Sequence, residues 1–434
     1  MAARPAGSGI RRVFANRNYR LYFTGNAVSL VGTWMQRTGV YALAWELTGS
    51  AFYLGLIATA EFLPSILLGP FAGAVADRLS RLGIIAAMQG LLCLQALTLG
   101  LLTVSGATTP ELLFLLTLLL GTATAVAQPA RLSLVPSLVG RDDIPSAVAI
   151  NSIGWNSARF IGPTLAGPML AYLGPVSGAG WAFLCNTGTF AAFLVVLPML
   201  RLSRPEHLHR ERRSLVAEIG EGFRYIGRHA GVGPLILLLL SGALLVRPYV
   251  ELLPAFADVV FERGAEGFAM LVAVNGMGAL AGGLWLAQRG SQRGLAVIVF
   301  AGAAVHAAMV ALFSVVGDFH VALAALATAG FAMLVMGVGA QSLIQMGTPS
   351  DMLGRVLSVY GLTFRAGPAL GALTMGALAD RIGLAWPVLG GACLCLAAIV
   401  LLLRRLPTVR AALEPEERGR APSPIEPKRK TPAD

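Results

Sequence analysis

Two acidic residues stand inside long apolar stretches, which makes them the first candidates for chemistry in this chain. Glu61 falls near the middle of one stretch, and Glu251 falls within another. An ionised carboxylate is costly at the depth of a lipid bilayer, because nothing there replaces its hydration. A carboxyl group in such a place can take up and release a proton. We therefore predict that Glu61 or Glu251 is a protonation site.

Other polar residues recur at helical spacing in four apolar stretches. Residues four or seven apart share one face of a helix. Inside a bilayer such residues must face water or one another, as members of a site or as contacts that join helices. The residues are Asn26, Thr33 and Arg37 in the stretch near 20–45, Thr124, Gln128 and Arg131 near 111–130, Arg247 and Glu251 near 232–256, and Gln341 and Gln345 near 321–346.

Two of these arginines and a tryptophan have a second interpretation. Arg37 and Arg247 lie toward the ends of their stretches, so their side chains can instead reach the bilayer surface. Trp34 can stack on a flat ligand or anchor its helix at that surface.

Arg159 and Arg365 form a matched pair, each at mid-depth and each followed by a Gly-Pro step. Proline frees a backbone carbonyl and bends a helix, and glycine permits close packing. We interpret both sites as helix interfaces, made of Arg159, Gly162 and Pro163 in one case and Arg365, Gly367 and Pro368 in the other.

The composition requires a membrane for these elements. The 434 residues are 56% hydrophobic and 13% charged, with a mean hydropathy of +0.71. Soluble proteins carry about 25% charged residues, and one span needs about 20 apolar residues. The apolar stretches predict twelve helices, near 20–45, 51–76, 82–104, 111–130, 145–173, 180–200, 232–256, 267–288, 295–316, 321–346, 355–379 and 385–403.

The cationic residues give an orientation. Of the 33 Lys and Arg residues, 27 fall on one side when the spans alternate. Cationic loops stay in the cytoplasm, so both termini are predicted to be cytoplasmic in a bacterial-type inner membrane. Because these charges sit in loops and tails, no nucleic-acid partner is expected from the net charge of +11.

The segments outside the spans divide the chain. Residues 1–19 form an N-terminal tail, 20–200 and 232–403 form two six-helix bundles, 201–231 form a linker, and 404–434 form a disordered tail. Within the linker Leu215, Ile219, Phe223 and Ile226 recur at helical spacing, which fits either a surface helix or a solvated segment. The four cysteines lie in apolar spans and are interpreted as packing residues.

The loop after the second span carries a recognisable motif. It runs from Gly73 through Asp77 and Arg78 to Arg81. This motif resembles the signature loop of the major facilitator superfamily. The resemblance implies twelve transmembrane helices in two pseudo-symmetric six-helix bundles, and a conformational latch made of Gly73, Asp77, Arg78 and Arg81.

Further strings narrow the resemblance to the branch of the enterobactin exporter and related transmembrane secretion effectors. They are Asn16–Arg20, Gly32–Arg37, Leu47–Ser50, Gln128–Arg131, Gln341–Gln345 and Gly354–Tyr360. In this superfamily helices one, four, seven and ten line a central cavity. The resemblance therefore makes Asn26, Thr33, Trp34, Arg37, Thr124, Gln128, Arg131, Arg247, Gln341 and Gln345 candidates for the substrate cavity.

The sequence departs from the family pattern in three places. The second-half counterpart of the signature loop, around Gly282–Arg289, has no aspartate. An Asp380-Arg381 pair ends helix eleven on the outer side, so we do not assign it the role of the loop. The Gly162-Pro163 step resembles a motif of drug and proton antiporters, but the full glycine run is absent.

The branch resemblance implies an exporter that moves an amphipathic small molecule, such as a siderophore or drug, in exchange for protons. An uptake permease for a small metabolite is one alternative, and a non-transporting receptor or scaffold is another. We expect no enzyme, cofactor or metal, since the loops are too short for an active site. The expected partners are the substrate, protons and the lipid bilayer, and the protein is expected to be a monomer.

Overall fold

The computed structural model describes residues 6–76, 79–201, 215–289 and 293–414, and every regular element in these ranges is helical. The first half contains α1 (Ala6–Ala15), α2 (Arg17–Thr48), α3 (Ala51–Ala76), α4 (Arg81–Val104), α5 (Pro110–Leu134), α6 (Ile144–Leu173) and α7 (Pro175–Val196). After the linker helix α8 (Leu215–Arg228), the second half contains α9 (Val232–Leu245), α10 (Tyr249–Ala255), α11 (Gly264–Arg289), α12 (Leu295–Val315), α13 (Phe319–Gly347), α14 (Ser350–Ile382), α15 (Ala385–Leu403) and α16 (Leu406–Leu413).

Ten segments of the described chain are long and apolar enough to cross a membrane. The long helices α2 and α6 are not among them, although they contain 32 and 30 residues. α2 contains three arginines and α6 contains Arg159, and both helices carry several polar side chains. α2 packs on α7, and α6 packs on α11. These two helices bring the candidate site residues Arg37 and Arg159 into the bundle.

Successive long helices run in opposite directions, which gives the bundle two ends. We call the end with α1, α8 and α16 the terminal face, and the opposite end the distal face. Turns on the distal face use glycine. Gly49 ends α2 at φ 58°, and its N–H donates to the Trp45 carbonyl at 2.8 Å. Glycine adopts this left-handed conformation without the steric cost that a side chain adds.

The predicted helix ranges agree closely with the structure, with three corrections at their ends and in the tails. The sixth span begins at Pro175 rather than 180. The predicted N-terminal tail contains α1 and the start of α2. The prediction of a disordered tail from Arg404 is wrong for its first part, because α16 buries Val409 and Leu413. Leucine and valine at helical spacing gave this short helix an apolar face to pack.

The seventh span is broken where a continuous helix was predicted. α9 ends at Leu245, and α10 begins after Pro248. Proline has no N–H to donate and disfavours a helical conformation in the residue before it, so a break here is expected. A π-helical turn, Phe256–Val260, then continues α10 toward the distal face.

The two halves meet along two pairs of helices, α3 with α14 and α6 with α11. Glycines allow backbones to touch at the first pair. A side chain at Gly55 would collide with the backbone of Ala372, and one at Gly376 would collide with that of Ala51. These contacts lie toward the distal face, at the start of α3 and the end of α14.

Candidate functional site

Arg37 joins two carboxylates that come from different halves of the molecule. Its Nε atom lies 3.2 Å from Glu61 Oε2, and its Nη2 atom lies 3.1 Å from Glu251 Oε1. The Glu251 side chain is fully buried, and those of Arg37 and Glu61 are 14% and 18% exposed. The structure thus brings both predicted protonation sites to one guanidinium group. We call these residues the Glu-Arg-Glu triad.

Aromatic rings hold the guanidinium group of Arg37 in place. Its central carbon lies 5.1 Å from the centre of the Trp34 ring, 5.2 Å from Phe62 and 5.6 Å from Tyr41. Guanidinium groups bind aromatic faces favourably at such distances. The Tyr41 hydroxyl also donates to Glu61 Oε2 at 3.5 Å. The alternative that Arg37 reaches the bilayer surface is therefore wrong, because its charge is satisfied inside the bundle.

A small cavity of about 50 Å³ lies beside the triad, between the two halves. It has room for a few waters or for one functional group of a larger molecule. Its lining combines charged, aromatic and apolar side chains. The residues are Trp34, Arg37, Thr38, Tyr41, Arg159, Pro163, Arg247, Val250, Glu251, Phe268, Val272, Asn275 and Gly276.

Two further arginines border this cavity without an acidic partner in the described part of the chain. Arg159 Nη2 lies 3.9 Å from Met333 Sδ, and its guanidinium carbon lies 5.7 Å from the Trp34 ring centre. Arg247 Nη1 is buried and forms no hydrogen bond to described residues. Among the residues that the structure describes, no carboxylate lies within 4.0 Å of either guanidinium group. The cavity is therefore lined by three cations and one carboxylate. The Glu61 carboxylate does not line it but contacts Arg37, which does.

Other predicted cavity residues lie elsewhere. Arg131 Nη2 donates to Gln89 Oε1 at 2.7 Å, which joins α5 to α4 within the first half. Thr33 donates to the Ser29 carbonyl of its own helix at 2.8 Å. The remaining residues do not line the cavity beside the triad: Asn26 is buried, Thr124, Gln128 and Gln341 are partly buried, and Gln345 is exposed.

The matched Gly-Pro sites lie where helices touch. A side chain at Gly162 would collide with Trp34 and the backbone of α2, and one at Gly367 would collide with Ala243 of α9. Pro163 and Arg159 also line the cavity, whereas Arg365 does not. The first site therefore joins a helix interface to the cavity.

The predicted latch is only partly described. Asp77 and Arg78 lie outside the described residues. Gly73 belongs to the last turn of α3, and Arg81 opens α4, where its Nη1 donates to the Ser133 carbonyl at 3.4 Å. That bond connects α4 to α5.

Sequence reasoning missed several polar contacts that the fold creates. The amide of Asn275, which lines the cavity, donates to the Tyr249 hydroxyl at 2.6 Å. Trp45 Nε1 donates to Asp258 Oδ2 at 3.0 Å across the two halves. Trp45 and Asp258 sit near span ends, where polar residues are common, so no signal in the sequence marks them.

Comparison with known proteins agrees with this architecture. A family model described as transmembrane secretion effector matches residues 12–429. The chain belongs to this family of the major facilitator superfamily. The predicted class, two helical bundles of that superfamily, is therefore confirmed, and the chain is a multi-pass membrane transporter.

The curated relatives are exporters. The chain is 27% identical to the enterobactin exporter EntS of Salmonella choleraesuis over 83% of this chain and 85% of the relative. It is 26% identical to EntS of Escherichia coli O139:H28, again over 83% and 85% of the two chains.

Solved structures of transporters share the fold. A bacterial homologue of the iron transporter ferroportin, in the inward-facing state, matches with a TM-score of 0.64 and 16% identity, over 92% of this chain and 99% of that chain. A bacterial homologue of the lysosomal transporter Spinster, inward-facing and unoccupied, matches with a TM-score of 0.63 and 16% identity, over 90% and 97%.

Proposed function

We propose that this transporter exports an amphipathic small molecule across the bacterial inner membrane in exchange for protons. The observation that carries the proposal is the Glu-Arg-Glu triad, in which the carboxylates of Glu61 and Glu251 share Arg37 and the Arg37–Glu251 contact joins the two halves. The exporter relatives support the direction. We further propose that the terminal face is cytoplasmic, as the cationic residues indicate.

The triad suggests how a proton changes the conformation. Arg37 of α2 and an ionised Glu251 of α10 attract each other across the halves and stabilise the distal closure. A proton on Glu251 removes this attraction, so the distal parts can separate. Two similar bundles then rock about the site between them.

Exchange with protons limits the kind of substrate. Substrate and proton must compete for the same groups, which here are the carboxylates of Glu61 and Glu251. A hydrogen-bond donor or a positive charge on the substrate competes in this way. Trp34, Phe268 and Val272 offer apolar and aromatic surface to the rest of the molecule. The proposed substrate is thus amphipathic, with a donor group at its polar end.

One observation favours a second candidate. Arg159 and Arg247 border the cavity without a carboxylate partner among the described residues. An anion bound there would repel the nearby carboxylates and promote their protonation, so anion and proton would cross together. This is the chemistry of an uptake permease for an acidic metabolite, driven by protons.

Transport assays in inside-out vesicles separate these candidates. Siderophores, macrolides and hydrophobic dyes are offered with a pH gradient of either sign. An exporter that exchanges protons accumulates substrate when the lumen is acidic, and a protonophore abolishes the accumulation. Cotransport instead requires the opposite gradient. Absence of any gradient-dependent flux would contradict both candidates and favour a non-transporting scaffold.

The signature loop offers a separate test of the scaffold alternative. We propose that Gly73, Asp77, Arg78 and Arg81 form a latch that a transporter needs and a scaffold does not. The Asp77→Asn variant should then lower the flux of a transported substrate in the same vesicles. Unchanged flux would contradict the latch.

A further inference from the structure

Asp380, at the end of α14, caps the first turn of α3 in the other half of the molecule. Its carboxylate accepts hydrogen bonds from Ser50 Oγ at 2.6 Å, from the Ala51 N–H at 2.8 Å and from the Phe52 N–H at 3.2 Å. The first N–H groups of a helix have no partner inside the helix and carry partial positive charge. A carboxylate is their most favourable partner, and here it comes from a different bundle.

This contact lies where the backbones of the two halves touch. Gly376 is one helical turn before Asp380, and a side chain at Gly376 would collide with the backbone of Ala51. The cap therefore forms only when α3 and α14 are in close contact at the distal face. Separating the halves at this face leaves the N–H groups of Ala51 and Phe52 to find other partners.

The sequence around Asp380 repeats the sequence around Asp77. Residues 376–381 read Gly-Ala-Leu-Ala-Asp-Arg, and residues 73–78 read Gly-Ala-Val-Ala-Asp-Arg. One string lies at the end of α14, and the first four residues of the other, 73–76, form the last turn of α3. Because α3 and α14 pack together in opposite directions, the two strings belong to opposite ends of one helix pair.

We propose that Asp380 is a distal latch, the counterpart of the signature loop at the other end of the α3–α14 pair. The distal latch stabilises the conformation that is closed at the distal face. The contact of the Asp380 carboxylate with α3 is broken and remade once in each transport cycle. This reverses the assignment made from the sequence, where the Asp380-Arg381 pair received no such role.

The test measures the conformation itself and needs no known substrate. Spin labels are placed on a cysteine-free full-length chain through Glu46→Cys and Glu266→Cys, two exposed positions on the distal parts of opposite halves. Pulsed electron resonance gives the distribution of distances between them. Asp380→Asn should raise the ratio of distal-open to distal-closed molecules roughly fivefold or more, because a fixed charge on a helix terminus is lost.

A matched control variant exists on the same face. Asp318 caps α13 through the Val321 N–H at 2.9 Å, but both residues belong to the second half. Asp318→Asn should leave the distance distribution unchanged. An Asp380→Asn distribution that equals that of the parent overturns the proposal, and so does an equal shift in both variants. Asp77→Asn, at the other end of the pair, should shift the ratio toward the distal-closed form.

Discussion

At the scale of single residues, the central feature is one cation shared by two acids. Arg37 offers several N–H groups in a plane, so it binds Glu61 and Glu251 at the same time. A lysine has one compact charge and cannot match this geometry. The identity of the cation thus decides whether the two halves are connected through the triad.

Replacing Glu251 by Gln should abolish most proton-driven transport. The variant keeps the shape of the side chain and removes both the charge and the proton. We expect exchange driven by a pH gradient to fall by about tenfold or more, since breaking a buried pair costs about 3–5 kcal/mol. Vesicle transport with both gradient signs measures this effect. Glu46→Gln is the control, because Glu46 is exposed on the same helix as Arg37.

Glu61→Gln separates the two acids of the triad. Glu61 contacts Arg37 within the first half only, so its loss leaves the connection between the halves intact. We expect a smaller loss of flux than for Glu251→Gln, together with a changed pH dependence of transport. Equal losses in both variants would show that the position of the acid does not matter.

Arg37→Lys tests the shared cation directly. One ammonium group can approach one of the two carboxylates closely, and the other then loses its buried partner. We expect flux close to that of Glu251→Gln and a clearly lower thermal stability in detergent. Arg263→Lys is a suitable control, because Arg263 is exposed and its guanidinium group lies over the face of Phe319. Full flux in Arg37→Lys would contradict the role of the triad.

The sequence predicted the two acids but not their pairing. Glu61 and Glu251 were recognisable because charges are rare inside apolar spans. Their common partner was not, since Arg37 and Glu251 are 214 positions apart in the chain and lie in different halves. The position of Arg37 near a span end suggested the bilayer surface instead. Only the packing of α2 against α10 shows that this depth is interior.

At the scale of elements, amide side chains join the helices of the first half. Asn186 of α7 donates to Gln36 Oε1 at 2.6 Å, Gln36 donates to Gln95 Oε1 at 3.0 Å, and Gln95 donates to the Leu116 carbonyl at 3.1 Å. Four helices, α2, α4, α5 and α7, are connected by this chain of hydrogen bonds. Such bonds replace the hydrophobic effect, which does not hold helices together in lipid.

Gln36→Leu should destabilise this half. The variant leaves the buried Asn186 and Gln95 each without one partner, at a cost of about 1–3 kcal/mol for a buried polar group. Thermal unfolding in detergent measures the change. Gln345→Leu is the control, because Gln345 is exposed on α13. A loss no larger than in the control would show that the network contributes little.

The elements were more predictable than their breaks. Apolar length alone placed most helices to within a few residues. Pro248 explains the interruption of the seventh span. The span is apolar on both sides of this break, so hydropathy alone does not reveal it. The helix α16 was hidden by the charged sequence around it. Local chemistry can end a helix within a stretch that hydropathy reads as continuous.

At the scale of the whole molecule, the polar contacts between the halves include three that pair a second-half carboxylate with a first-half donor. Glu251 accepts from Arg37, Asp258 from Trp45, and Asp380 from the start of α3. The first contact belongs to the triad, and the other two lie nearer the distal face. The structure is therefore closed at that face.

The proposed orientation of the molecule is directly measurable. An epitope tag after residue 434 should be reached by antibody in inside-out vesicles and protected in intact spheroplasts, because cationic segments surround the terminal face. A tag inserted at Gly106, in a distal turn, should show the reverse pattern. Protection of the terminal tag in inside-out vesicles would invert the assignment of the two faces.

The break in the seventh span divides it into two helices that have different neighbours. Glu251 lies on the short helix α10 beyond Pro248, while α9 packs on α14 and α15. We expect this short helix to move before either bundle rotates. The proposed proton uptake at Glu251 would then precede the proposed large motion of the halves. A divided span of this kind predicts two kinetic phases, a fast local step at α10 followed by slow separation of the halves.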